Sequence, residues 1–207
     1  MKRSTTIGSN IENYYRLHAG VYDRSRWAFL FGRRAIVRLA GEHVRPSRVL
    51  EVGCGTGYNL ELLQQLFPHA ELHGLDLSAD MLGIARRRLG DRVRLWQHRY
   101  DRPITACHQQ PGYDLILASY ALSMFNPGWV AAIDAMRQDL APGGSIAVVD
   151  FHDSRSRLFR DWMAMNHVRM EGHLLVHLQQ RLQQQALQMR SAYAGLWRYC
   201  LYIGNSS

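Results

Sequence analysis

Three glycines stand at alternate positions in Glu51-Val52-Gly53-Cys54-Gly55-Thr56-Gly57, where an apolar β-rich run gives way to an amphipathic stretch. At such a junction glycines let the backbone turn sharply and approach a ligand without interference from a Cβ. Asp76 closes the next β-rich run, 19 residues after Gly57. An acid there can accept both hydroxyl hydrogens of a ribose, so loop and acid together predict a nucleotide-like cofactor. The spacing is G-x-G-x-G, one residue tighter than the G-x-G-x-x-G fingerprint that rests a pyrophosphate on a helix N-terminus. A tight strand-to-helix turn would account for the glycines alone, but not for Asp76 at this distance.

A second group of reactive side chains follows later strands, at the carboxyl ends where open α/β sheets bind ligands. Tyr120 follows the fourth strand, and Asp150, His152 and Asp153 follow the fifth. His152 between two acids is expected to have a raised pKa. It reads as a general base or as a solvated loop histidine. Asp150 and Tyr120 are candidates for orienting a cationic acceptor. His173 and His177 stand one helical turn apart after Glu171 but lack the glutamate of H-E-x-x-H, so they read as exposed helix histidines and no metal is assigned.

The elements that must position these groups follow from the alternation of short β-rich runs with amphipathic stretches, the pattern of βα units on a parallel sheet. Strands are predicted over 48–52, 71–75, 93–96, 113–119 and 145–149, the last after a Pro142-Gly143-Gly144 turn. Helices are predicted over 59–67, from a cap at Ser78 to Leu89, and over 129–140. Beyond Phe151 the rhythm changes to a helix over 158–168 and a second carrying Leu174, Leu178 and Leu182, with glutamines 179–185 as its polar end. A terminal hairpin over 187–193 and 196–203 follows, turning at Ala194-Gly195. Two helices precede the sheet, about 11–17 and 27–39. The expected fold is a Rossmann-like, doubly wound α/β domain, a mostly parallel seven-stranded sheet with a C-terminal antiparallel hairpin. One domain over 1–207 is expected, with 1–45 a helical lid and 46–207 the core.

The E-x-G-x-G-x-G string, the acid ending strand two and the P-G-G before strand five together resemble the class I S-adenosylmethionine-dependent methyltransferases, over residues 48–150. The resemblance implies an enzyme with S-adenosylmethionine as cofactor. Its methionine moiety would lie over Gly53 and Gly55, within the loop from Glu51 through Cys54, and its ribose on Asp76. Leu77 and Met81 would flank the adenine. The acid that the family commonly carries after strand three is replaced here by Arg99, which leaves backbone groups or Gln97 and His98 to meet the adenine. Ser119 at the end of strand four completes the expected cofactor set. From the front segment Tyr14, Tyr22 and Arg26 could lie over the cofactor, Arg26 pairing with its carboxylate.

A narrower similarity rests on Tyr22-Asp23-Arg24-Ser25-Arg26-Trp27-Ala28-Phe29-Leu30-Phe31-Gly32-Arg33-Arg34 and Ser119-Tyr120-Ala121-Leu122-Ser123-Met124, which resemble the betaine-lipid N-methyltransferases of diacylglyceryl-homoserine. It implies methylation of a lipid head-group amine. Trp27, Leu30 and Phe31 would then enter an anionic interface while Arg24, Arg26, Arg33, Arg34 and Arg38 meet phosphates, in addition to closing over the cofactor. A soluble small molecule or quinone is the rival acceptor, and a non-catalytic cofactor-binding partner subunit is the reading from another class. A homodimer surface is a further use for the front segment. Base-amine methyltransferases of nucleic acids carry Asn/Asp-Pro-Pro-aromatic after strand four, which Ser119-Tyr120-Ala121-Leu122 does not match, so a nucleic-acid substrate is disfavoured.

Bulk composition is compatible with these expectations. Lys plus Arg number 25 against 17 for Asp plus Glu, a net charge of +8 that suits an anionic partner or a basic soluble enzyme. Three cysteines without metal spacing and no apolar leader predict a reduced, cytoplasmic chain, with peripheral contact at the inner membrane face under the lipid reading.

Overall fold

The computed structural model of the chain describes residues 29–108, 111–165 and 168–206. Seven strands, β1 (Arg48–Val52), β2 (Glu71–Asp76), β3 (Val93–Gln97), β4 (Tyr113–Ser119), β5 (Leu140–Ser154), β6 (Gln183–Ala192) and β7 (Trp197–Asn205), form one sheet in the order β3-β2-β1-β4-β5-β7-β6. β1 to β5 pair in parallel, and β7 runs antiparallel to both β5 and β6. The fold is thus the expected Rossmann-like one with its C-terminal antiparallel hairpin.

Period-two alternation sends successive strand residues to opposite faces. Val49, Leu115, Leu117, Ala147 and Val149 meet α1 (Arg33–His43), α2 (Tyr58–Leu66) and α3 (Ala79–Leu89). Leu50, Val52, Ile116, Ala118, Ile146 and Val148 meet the other layer, made by α4 (Ile104–His108), α5 (Trp129–Asp139) and α7 (His173–Arg181). α6 (Arg157–Met165) adds Met163 to the first layer. Burying each such aliphatic side chain stabilises by roughly 1.5–3 kcal/mol. Strand order reverses between β1 and β4, and that switch point opens a crevice beyond the carboxyl ends.

Several boundaries differ from the expectation. α1 begins at Arg33 because Gly32, at φ +82°, breaks the helix expected to start at residue 27. The Pro142-Gly143-Gly144 segment lies within β5 as an irregularity rather than before it. Tyr113 already pairs with Leu140, and the register shifts before Leu115 meets Ser145. Of the glutamines expected at a helix end, Gln179 and Gln180 do lie in the last turn of α7, whereas Gln183, Gln184 and Gln185 open β6. Gln183 pairs with Asn205 on β7, and Gln183, Gln184 and Gln185 are exposed on an edge strand. α4 was not expected, since its first amides are capped from afar: Asp139 accepts from Ile104 N (2.8 Å), Thr105 N (2.9 Å), Thr105 Oγ1 (2.6 Å) and the Tyr100 hydroxyl (2.7 Å). The expected helix over 11–17, with Tyr14, Tyr22 and Arg26, lies outside the described residues.

Candidate active site

β1 ends at Val52, and the chain turns back on itself through the glycine loop before α2. The amides of Gly53 and Cys54 both donate to the Leu75 carbonyl, at 2.8 and 2.9 Å, so the loop is tied to the end of β2. Asp76 strengthens that tie. Its Oδ2 accepts from Gly55 N at 2.8 Å and its Oδ1 from Ser78 N at 2.9 Å. These amides orient the carboxylate beside the open face of the loop. Ser78 caps α3 by accepting from Met81 N at 3.3 Å, which holds Leu77 and Met81 beside Asp76.

The glycines divide by environment. Gly57, at φ +78°, lies where a Cβ would stand 2.8 Å from Leu89 Cδ1 and 3.2 Å from Ala85 Cβ, so it permits α3 to pack against the loop. Gly55, at φ +54°, has nothing within 4 Å of where a Cβ would be. Its face is open, as close approach of a ligand requires. At Gly53 a Cβ would meet Ala121 Cβ at 2.6 Å, so the loop also abuts the segment after β4.

Glu51 is buried beneath this loop. Oε1 accepts from Asn59 Nδ2 at 2.6 Å, Asn59 Oδ1 accepts from Arg33 Nε at 3.0 Å, and Oε2 is buried without a hydrogen-bond partner. Burial pushes the Glu51 carboxyl up to about 8, against the opposing pull of Asn59 and Arg33. Ser119 Oγ at the end of β4 is likewise buried and unpartnered. Cys54 is a packing group, its thiol held well above the usual range by burial.

β3 supplies the remaining wall. His98 N donates to the Asp76 carbonyl at 3.1 Å, and Gln97 Nε2 to the Leu77 carbonyl at 3.2 Å. Leu77 is exposed and Met81 buried. An S-adenosyl group fits this arrangement: a carboxylate for its ribose, an open glycine face, an exposed leucine for its adenine, and an orphaned buried oxygen on Glu51 that a cationic donor would satisfy.

The expected acceptor residues have separate environments. Tyr120 is buried in a left-handed conformation (φ +54°), its ring against Phe151 and its hydroxyl donating to the Phe31 carbonyl at 2.7 Å. It ties the segment before α1 to the end of β4. Asp150 is fully buried, with Oδ2 accepting from Ser123 N (3.0 Å) and Oδ1 from Phe151 N (2.8 Å). Burial raises its carboxyl to about 6, so Asp150 braces the turn after β4.

His152 corrects the expectation of a raised pKa. Its pKa lies below the ordinary histidine value because burial outweighs the one carboxylate that acts on it, Asp153. Asp150 is turned to the Ser123 amide, and Asp153 is held by Arg198, whose Nε donates to Oδ1 at 2.7 Å. The imidazole is therefore neutral near pH 7, with Nδ1 unpartnered. His173 and His177 flank Trp129, each with ring centroids 5.0 Å from it, and both are half-buried rather than exposed. Among the described residues no group of three or more His, Cys, Asp or Glu could hold a metal.

Sequence comparison agrees with this geometry. Residues 50–146 match the family described as "Methyltransferase domain". A trans-aconitate 2-methyltransferase of Methylobacterium nodulans is 37% identical over 103 residues, covering 50% of this chain and 38% of the relative. A malonyl-[acyl-carrier protein] O-methyltransferase of Legionella pneumophila is 29% identical over 122 residues, covering 56% and 41%. The matches thus span about two-fifths of these relatives. The N-methyltransferase NodS of Bradyrhizobium japonicum WM9, solved with S-adenosyl-L-homocysteine, superimposes with a TM-score of 0.69 at 22% identity, covering 84% of this chain and 85% of that one. Over residues 50–146 the chain is thus similar to methyltransferase domains.

Proposed function

We propose that the chain transfers a methyl group from S-adenosylmethionine to a small-molecule acceptor held beyond the carboxyl ends of β4 and β5. The observation that carries this reading is the Asp76 carboxylate, fixed by the Gly55 and Ser78 amides beside the open face of Gly55. When bound, the cofactor supplies an electrophilic methyl on a sulfonium that departs as a neutral thioether.

The protein's own task is then alignment and exclusion of water. Asp76 accepts the ribose hydroxyls, Glu51 Oε2 accepts from the cationic amine, and Leu77 and Met81 cover the adenine. Tyr120 and Asp150 hold the turn after β4 that walls the acceptor space. His152, neutral at pH 7, takes a proton at Nε2 from an acceptor that arrives protonated.

For the acceptor, the amine of a lipid head group of the diacylglyceryl-homoserine kind is the finer proposal. Leu158, Trp162 and Met165 recur at helical spacing on α6 and are all exposed, an apolar stripe suited to a lipid interface. A second reading, O-methylation of a soluble carboxylate, is favoured by the names of the two relatives. A carboxylate needs no proton acceptor, so this reading gives His152 no proton to take.

The deciding experiment supplies labelled cofactor with diacylglyceryl-homoserine in mixed micelles, or with trans-aconitate or a malonyl thioester, and identifies the product by mass spectrometry. Methylated homoserine lipid that disappears in Asp76→Ala supports the lipid amine. Label on a carboxylic acid alone replaces it with the second reading, and cofactor binding without transfer to any acceptor removes the enzymatic reading for these acceptors.

A further inference from the structure

On the outer side of α1 lies a cleft of about 670 Å³, within the range of small-molecule sites. Arg33, Arg34 and Arg38 reach it from α1, Arg88 from the end of α3, and Arg190 from β6. Arg33, Arg34 and Arg38 belong to the basic stretch expected from the sequence to meet phosphates, and Arg88 and Arg190 join them from elements remote in sequence. Glu42 is the one acid among the described lining residues.

The basic side chains are braced from below. Arg33 lies over the Tyr58 ring, 4.2 Å from its centroid, and Arg34 Nε donates to the Tyr58 hydroxyl at 3.0 Å. Arg88 Nη1 donates to the Thr56 carbonyl at 3.0 Å and to Thr56 Oγ1 at 3.2 Å, and Arg190 Nη2 to Gln188 Oε1 at 2.7 Å. The bonds of Arg34 and Arg190 each use only part of a guanidinium that carries five N–H donors. Arg34, Arg38 and Arg190, set with Glu42 in one cleft, raise the local potential, and an anion relieves that repulsion on binding. Guanidinium forks match phosphoryl oxygens two at a time.

We propose that this cleft is a binding site for a phosphoryl-bearing oligoanion, separate from the cofactor crevice and joined to it through Thr56 and Tyr58, which border Gly57. The phosphoryl groups belong to a phosphorylated metabolite or to an anionic phospholipid head group. The proposal does not depend on which acceptor is methylated.

The test titrates inorganic pyrophosphate into the full chain, and in parallel measures sedimentation with phosphatidylglycerol and phosphatidylcholine vesicles. Arg38→Gln/Arg190→Gln is compared with wild type and with Arg181→Gln, an arginine on α7 outside the cleft. S-adenosylhomocysteine binding serves as the check on folding, and the single variants Arg38→Gln and Arg190→Gln replace the double variant if that check fails. The expected result is salt-sensitive pyrophosphate binding, weakened about tenfold or more by the cleft substitutions and left within about twofold by the control. Pyrophosphate binding without vesicle binding assigns a soluble ligand. Binding to phosphatidylglycerol vesicles alone, competed by pyrophosphate and lost in the cleft variant, assigns a lipid head group. No binding of either probe by wild type, or equal binding by the cleft variant and the control, overturns the proposal.

Discussion

The backbone amide of Gly55 donates a 2.8 Å hydrogen bond to Oδ2 of Asp76, linking the glycine loop after β1 to the acid that ends β2. The cofactor-binding backbone and the ribose acceptor are thereby held as one unit. Substitutions that leave this unit folded but change its open face should separate ligand binding from stability.

Gly55→Ala and Gly57→Ala are predicted to fail in different ways. Both place an alanine at positive φ, a cost of about 1 kcal/mol. Gly57→Ala adds a clash with Leu89 and Ala85 and should cost ~1–3 kcal/mol more in denaturant unfolding. Gly55→Ala meets no protein atom, so its main effect should be weaker binding of S-adenosylhomocysteine. Paired melting and titration measurements distinguish the two.

Glu51 makes stability depend on pH. Its folded pKa of about 8 lies above the ordinary 4.5, so between these values the folded chain holds a proton that the unfolded chain has released. Stability therefore falls as pH rises through that window, by up to ~1.4 kcal/mol per pH unit for this group. Glu51→Gln, which retains an acceptor for Asn59 but cannot ionise, should gain on wild type steadily from pH 5 to 8 in urea unfolding. A constant difference would refute the assignment.

His152 has its pKa below the ordinary value of 6.5. If it takes the acceptor's proton, activity is lost as pH falls through that depressed value, and the acid limb of kcat/KM lies below the usual histidine range. His152→Ala should remove that limb and lower kcat by about a hundredfold or more with an amine acceptor. An unchanged limb would move the proton elsewhere.

Asp139 is a stability prediction remote from the crevice. Asp139→Ala leaves the donors at Tyr100, Ile104 and Thr105 unpaired and should cost about 3 kcal/mol or more, with α4 protected least from hydrogen exchange.

The same carboxylate illustrates what a linear reading misses. α4 is five residues long and begins on amides satisfied 34 and 35 residues away, so no local cap signals it. The core around β1, β2 and β4 was legible because apolar runs end in glycines or an acid at fixed spacing, a pattern that local chemistry alone imposes. The edge strand β6 was legible only from about residue 187, since Gln183, Gln184 and Gln185 owe their extended form to pairing with β7. At His152 the adjacent acids suggested a raised pKa. The orientation of Asp150 toward Ser123 and of Asp153 toward Arg198, which reverses the expectation, is tertiary. In the arginine cleft the α1 arginines were legible as candidates for phosphates, whereas their meeting with Arg88 of α3 and Arg190 of β6 is tertiary.

Titration calorimetry of S-adenosylhomocysteine into wild type and Asp76→Ala tests the central claim most directly. The account predicts a saturable one-to-one isotherm for wild type and its loss, or a weakening of about tenfold or more, in a variant that still melts cooperatively. A wild-type chain that is folded yet takes up no S-adenosylhomocysteine, or an Asp76→Ala variant that binds it equally well, would contradict the account.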